Sequence, residues 1–209
     1  MSRYCSSCHK AKAICVCDAI TPITNTIPVI ILQHPDEVAH PKNSACLLAL
    51  ALEHCERWIG EDFSEHRALN EKLARSQRRY AVLYPGEHAI ALSSLTKPLA
   101  SAKESDREIP WGIILLDGTW KKAYKLYQLS KNLHDLPTVK ITTMPPSQYT
   151  IRKSSKPGAL STLEAGFAAL SELSGDREHY QPLLTSFEAM IERQLAFMPA
   201  SSNHPRPSE

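Results

Sequence analysis

The stretch Ile113-Ile114-Leu115-Leu116-Asp117-Gly118-Thr119-Trp120 constrains the fold of this chain more than any other. Four aliphatic residues run unbroken into an acid, a glycine, a hydroxyl and an indole. A short apolar run rich in β-branched residues predicts a strand buried on both faces, as in parallel sheets. The residues after it have helical periodicity, with Trp120, Ala123, Tyr124 and Tyr127 expected on one apolar face. Asp117 to Thr119 then falls at the carboxyl end of a central strand, where open α/β sheets place their ligands. Gly118 permits a tight turn, and Thr119 can cap the helix with its hydroxyl. An ionisable group at that point reads as catalytic or ligand-binding ahead of a plain turn-former.

Other segments repeat the pattern. Pro28 to Leu32 predicts a first strand, ending in Gln33-His34-Pro35. Tyr80 to Tyr84 predicts a second, broken by Pro85-Gly86, and Thr138 to Ile141 follows Ile113–Leu116 as a fourth. Helices are expected from about Ser44 to Cys55, from Trp120 to Ser130 and from about Tyr180 to Phe197. Ser161-Thr162-Leu163-Glu164 reads as a capping box opening a further helix to about Leu173. Strands alternating with helices predict an α/β fold with a mainly parallel sheet flanked by helices. With 209 residues, the chain suits one such domain plus a small appendage. The expected organisation is a cysteine module over residues 1–20, a main domain over 25–197 and a disordered polar tail over 198–209.

No secretory signal, transit peptide or apolar run of bilayer-spanning length is visible, so a soluble cytoplasmic protein with reduced thiols is expected. Four of the cysteines cluster: Cys5-x2-Cys8 is followed by Cys15-x-Cys17, within thirteen residues. The first pair has zinc-knuckle spacing, and the second can supply two more tetrahedral ligands. So short a segment has no core of its own, and a structural zinc ion would be its main source of order. Spacing alone does not separate zinc from an iron–sulfur cluster. Cys46 and Cys55 lie in apolar surroundings and read as small core residues.

Charge is nearly balanced overall, at +2, but unevenly spread. Between Lys121 and Lys156 there are eight basic residues, including Lys121, Lys122, Lys125, Arg152 and Lys153, against the single acid Asp135. A basic segment adjoining the proposed site suggests a polyanionic partner, nucleic acid first. The strand ends at His34, Tyr84 and Asp117 lie on one edge of a parallel sheet, so a small-molecule pocket is expected there. There is no G-x-G-x-x-G after a strand, no G-x-x-x-x-G-K-[ST] and no G-x-S-x-G. These absences argue against a dinucleotide-type Rossmann site, a P-loop NTPase and an α/β-hydrolase.

Asp117-Gly118-Thr119-Trp120 resembles the D-x-T-W signature of the DTW-domain proteins. The N-terminal cysteines, Gln33-His34-Pro35, Leu83-Tyr84-Pro85-Gly86 and Ser161-Thr162-Leu163-Glu164-Ala165 match that family's other blocks in order and spacing. Asn43-Ser44 stands where Asn-Thr is expected, which keeps the hydroxyl. The resemblance covers the chain to about residue 195. It implies a SPOUT-like fold with a knot in the carboxy-terminal part that holds the cofactor. It further implies transfer of the 3-amino-3-carboxypropyl group of S-adenosylmethionine to N3 of a uridine in tRNA, at position 47 of the variable loop, with release of methylthioadenosine.

On that resemblance, Leu83, Tyr84, Pro85, Gly86, Leu116, Asp117, Gly118, Thr119, Ser161, Thr162 and Leu163 would line the cofactor pocket. Asp117 would be the catalytic carboxylate, as acceptor of the N3 proton or as a fixed charge. His34, Lys121, Lys122, Lys125, Arg152 and Lys153 would meet the tRNA, and Cys5, Cys8, Cys15 and Cys17 would hold zinc. Trp120 is expected to anchor the Asp117 turn by packing. The alternatives are a SPOUT-like RNA methyltransferase and a non-catalytic zinc-dependent RNA-binding protein. The chain itself gives no reading of oligomeric state.

Overall fold

The computed structural model describes residues 3–75, 78–95, 110–142 and 160–197. Six strands form one sheet: β1 (Val29–Gln33), β2 (Cys55–Ile59), β3 (Arg79–Leu83), β4 (Ile90–Ala91), β5 (Trp111–Asp117) and β6 (Thr138–Lys140). Their order is β2-β1-β5-β3-β6-β4, and every pairing is parallel. Among the described residues the α-helices are α1 (Pro35–Val38), α2 (Ala45–Ala51), α3 (Arg67–Arg75), α4 (Trp120–Leu129), α5 (Thr162–Ser174) and α6 (Arg177–Ala196).

Both faces of the sheet are covered, as parallel sheets require. Side chains alternate along β5, so Ile113 and Leu115 enter one core layer and Ile114 the other. The first layer holds Leu47 and Leu48 of α2, Phe167 and Leu170 of α5, and Leu183, Phe187 and Met190 of α6. The second holds Leu69 of α3 and Leu126 of α4. Gly166 lets α5 approach this closely, because a Cβ there would lie 2.6 Å from a Leu48 methyl.

The chain leaves β1 for β2 on one side and leaves β5 through α4 for β6 on the other. Neighbouring strands β1 and β5 therefore flank the point where the connections diverge, the crevice in which open α/β sheets bind ligands. Gln33 and Asp117 are register partners at the carboxyl ends of those two strands.

Several expectations are corrected. The helix expected from Ser44 to Cys55 ends at Ala51, and Cys55 instead opens β2. That strand is only half-buried and carries Glu56 and Arg57, so no apolar run announced it. Trp120 is 43% exposed, and the buried residues of α4 are Ala123 and Leu126. Trp120 starts the helix beyond the end of β5. Gly118 does not have a positive φ; it is needed for space, since a Cβ would lie 2.9 Å from Lys122 Cβ. Residues 143–159, with Arg152 and Lys153 among them, and the expected tail over 198–209 lie outside the described residues.

Candidate active site

The carboxyl ends of β1 and β5 carry the buried polar residues Gln33, His34 and Asp117. Asp117, the last residue of β5, is 8% exposed. Its Oδ2 accepts a hydrogen bond of 2.7 Å from Gln33 Nε2, and its Oδ1 accepts one from the Thr162 hydroxyl. Two donors from separate elements fix the plane of the carboxylate and stabilise its anion. Gln33 is fully buried, and its Oε1 has no hydrogen-bond partner among the described residues.

Thr162 is aimed by the start of α5. Ser161 caps that helix, its Oγ accepting from Glu164 N at 3.2 Å while Glu164 Oε2 accepts from Ser161 N at 2.8 Å. This is the reciprocal capping box expected from the sequence. Leu163 N donates to Ser44 Oγ at 3.4 Å, and the Leu163 side chain belongs to the core. Thr119 caps α4, accepting from Lys122 N at 3.4 Å. The positive ends of α4 and α5 thus both face the Asp117 turn and favour negative charge there.

His34 binds the turn through its backbone, its N–H donating to Asp117 O at 3.0 Å. Its Nδ1 accepts from Asp36 N at 3.2 Å, which leaves the proton on Nε2 to donate to Glu61 Oε1 at 2.8 Å. Both ring nitrogens are therefore engaged within the protein. Lys125 holds the other oxygen of Glu61 at 2.6 Å and, with His34, keeps that carboxyl below its ordinary range. Lys122 lies 2.8 Å from Glu37 and 3.3 Å from Asp36. Of the four lysines expected to meet RNA, Lys153 lies outside the described residues, and Lys121 is exposed with no ion pair among the described residues.

Tyr84 follows β3 and stacks on Tyr127 of α4, with centroids 4.9 Å apart and 15° between planes. Burial, together with neighbouring Tyr124 and Tyr127, pushes the Tyr84 phenol up. Pro85 and Gly86 turn the chain away, Gly86 N donating to Tyr84 O at 2.8 Å. Leu83 and Leu116 are half-buried under this edge. The structure thus brings together Leu83, Tyr84, Leu116, Asp117, Thr119, Ser161 and Thr162. Sequence reasoning missed the roles of Gln33 and Ser44. The signal for Gln33 was an amide closing an otherwise apolar strand, immediately before His34-Pro35.

The sulfurs of Cys5, Cys8, Cys15 and Cys17 all lie within 4.8 Å of one another. Cys5 and Cys17 are 3.7 Å apart, as are Cys8 and Cys15. A tetrahedron of thiolates at about 2.3 Å from zinc has edges of about 3.8 Å, so the donor set fits a tetrahedral metal ion. Backbone N–H groups of Cys8 and Ser7 pull the Cys5 thiol down to about 6, whereas burial and the adjoining thiols push Cys17 up.

Side-chain hydrogen bonds tie the module to the domain, among them Cys46 Sγ to Cys8 O at 3.4 Å and Ser186 Oγ to Ala19 O at 2.8 Å. Lys10, almost fully buried, donates through Nζ to Pro41 O at 2.8 Å and Asn43 O at 3.2 Å, and burial lowers its pKa. Arg193 of α6 grips Asp18 at 2.7 and 2.8 Å and also donates to Cys15 O. Among the described residues no helix is long and apolar enough to cross a membrane.

Comparison with known proteins gives a consistent result. The family model described as DTW domain matches residues 2–195. A tRNA-uridine aminocarboxypropyltransferase 2 from Drosophila melanogaster is 30% identical over 197 residues, covering 91% of this chain and 74% of that protein. The Mus musculus protein of the same name is 31% identical over 198 residues, covering 91% of this chain and 63% of its own length. The tRNA-uridine aminocarboxypropyltransferase A of Arabidopsis thaliana is 24% identical over 226 residues, 98% of this chain and 85% of that protein. No solved structure matches the chain.

Proposed function

The chain belongs to the DTW-domain family, and from that premise we propose that it moves the 3-amino-3-carboxypropyl group of S-adenosylmethionine to N3 of a uridine in tRNA, at position 47 of the variable loop. The observation that carries the reading is the buried Asp117 carboxylate at the sheet's switch point, held from two sides by Gln33 and Thr162. The relatives' names supply tRNA uridine and the transferred group.

The reaction forms a bond between uridine N3 and the γ-carbon of the methionine moiety. The γ-carbon–sulfur bond breaks, its electron pair stays on sulfur, and neutral methylthioadenosine leaves. The N3 proton must be lost. Positive charge disappears from sulfur as the bond breaks and grows on the uracil as N3 attacks. A carboxylate beside the sulfonium would stabilise the ground state more than the transition state; beside N3 it does the reverse. Asp117, held by Gln33 and Thr162, is therefore assigned as acceptor of the N3 proton. Their hydrogen bonds hold the acceptor still, so that proton and carboxylate meet without reorganisation.

Leu83, Tyr84, Leu116 and the turn at Gly118-Thr119 would bound the adenosine and sulfonium of the donor. Zinc on Cys5, Cys8, Cys15 and Cys17 would be structural, since all four ligands come from the protein and no position stays open for substrate. The module over residues 1–20 then braces the domain over 25–197. Its reduced thiols and an RNA substrate suit a cytoplasmic protein. The test is mass spectrometry of tRNA from cells lacking the protein. Loss of the mass of one aminocarboxypropyl group on a variable-loop uridine is expected, and an unchanged tRNA would defeat the proposal.

A further inference from the structure

We infer that the outward face of α4, beginning at Trp120, is a platform on which unstacked bases of the RNA beside the target uridine lie; this rests on the RNA-modifying reading above. Trp120 is 43% exposed and Tyr124 55% exposed. They are four residues apart on one helix, so their side chains are neighbours on its surface. The platform starts three residues after Asp117. Behind it, Tyr127 stacks on Tyr84 at 4.9 Å and lies 5.0 Å from the His134 ring, which also contacts Tyr127 O at 2.9 Å. The exposed rings thus stand on a helix tied by aromatic contacts to the end of β3.

The charges beside these rings fit the same occupant. Lys122 and Lys125, which the sequence offered as phosphate contacts, are matched by Glu37, Asp36 and Glu61. Lys121, next to Trp120, and Lys140, closing β6 beside β3, are exposed and have no ion pair among the described residues. Exposed aromatic rings flanked by uncommitted ammonium groups match single-stranded nucleic acid, in which rings meet base faces and cations meet phosphates.

The proposed chemistry demands such a surface. Uridine N3 lies on the Watson–Crick edge, so the target must leave any pair or stack before it reacts. The bases on either side then lose a stacking partner, and the enzyme must replace it. Trp120 and Tyr124 are placed to do so at the rim of the site.

The test uses the full-length protein, a fluorescently labelled single-stranded RNA containing uridine, and the same RNA annealed to its complement. The wild type is expected to prefer the single strand. Trp120→Ala and Tyr124→Ala should each weaken that binding by about 5- to 100-fold, the range of one base–aromatic stack, with the salt dependence unchanged. Tyr124→Phe should retain the affinity and Tyr124→Leu should lose it, since only the former keeps a π face. Lys121→Ala should instead flatten the salt dependence. The inference is overturned if both alanine variants bind the single strand within twofold of wild type. It is also overturned if they change only self-association. S-adenosylmethionine binding, measured in the same variants, separates the outcomes: intact donor binding and transfer with unchanged RNA affinity sinks the platform alone, whereas absent donor binding in the wild type sinks the underlying reading.

Discussion

Gln33 and Asp117, 84 residues apart in sequence, join side chains at 2.7 Å across the two strands that flank the switch point of the sheet. The bond is buried, and the strands' register sets it. Gln33 is a positioning residue here. Its amide holds the carboxylate that is proposed to take the N3 proton, without itself meeting substrate.

Replacing Gln33 by Met keeps the bulk of the side chain and removes the donor. An anion that loses a hydrogen bond is destabilised relative to its acid. The acid limb of the pH–rate profile should therefore move to higher pH, with donor affinity unchanged. A merely structural role would lower activity at every pH and leave the limb in place.

Asp117→Asn removes the proton acceptor while keeping the shape. General-base catalysis typically contributes about 10²–10⁴-fold, so single-turnover rates should fall by at least about 10². Calorimetry should show S-adenosylmethionine binding within about twofold of wild type. A large loss of donor affinity would place the charge beside the sulfonium instead of beside N3.

The cysteine module should act on the site through the body of the fold. Lys10 holds the Asn43 carbonyl, Ser44 accepts from Leu163 N, and Thr162 donates to Asp117. Chelation, or Cys8→Ser, should lower Tm and raise amide exchange over Ser161–Ala165. If exchange at α5 stays unchanged while RNA affinity falls, the module grips RNA and is no brace.

Arg193 holds the Asp18 carboxyl at about 2, below its ordinary value near 3.9. The folded-state pKa is depressed, so the stabilisation is full above about pH 4 and is lost as pH falls towards 2. Because Asp18 is exposed, the effect should be small and weakened by salt. Arg193→Leu should make the acid-induced release of the module begin at higher pH, read by metal loss.

Gly166→Val forces side-chain atoms into Leu48 and Leu115 across the α5–sheet contact. Overpacking of this kind costs about 1–3 kcal/mol, to be read as a lower denaturant midpoint with an unchanged slope.

What could be read from the sequence was what local pattern determines. The runs at Val29, Tyr80, Ile113 and Thr138 became four of the six strands, and Ser161–Glu164 became a capping box. Edge strand β2 was invisible because Cys55-Glu56-Arg57-Trp58-Ile59 is too polar to read as a buried run. The two-residue β4 is too short for any periodicity. The partners of Asp117 depend on strand order, which joins Gln33 and Thr162 to it from opposite ends of the chain. The same is true of the charges: Lys122 and Lys125 read as free until α1 and the loop after β2 bring Glu37 and Glu61 to them. Trp120 looked apolar-facing because periodicity says nothing about where the sheet ends.

The central claim is tested most directly by incubating the purified protein with unmodified tRNA and S-adenosylmethionine and identifying both products. Methylthioadenosine released in step with a gain of one aminocarboxypropyl group on a variable-loop uridine is the expected result, lost in Asp117→Asn. S-adenosylhomocysteine with methylated tRNA, or tRNA binding with no donor turnover, would contradict it.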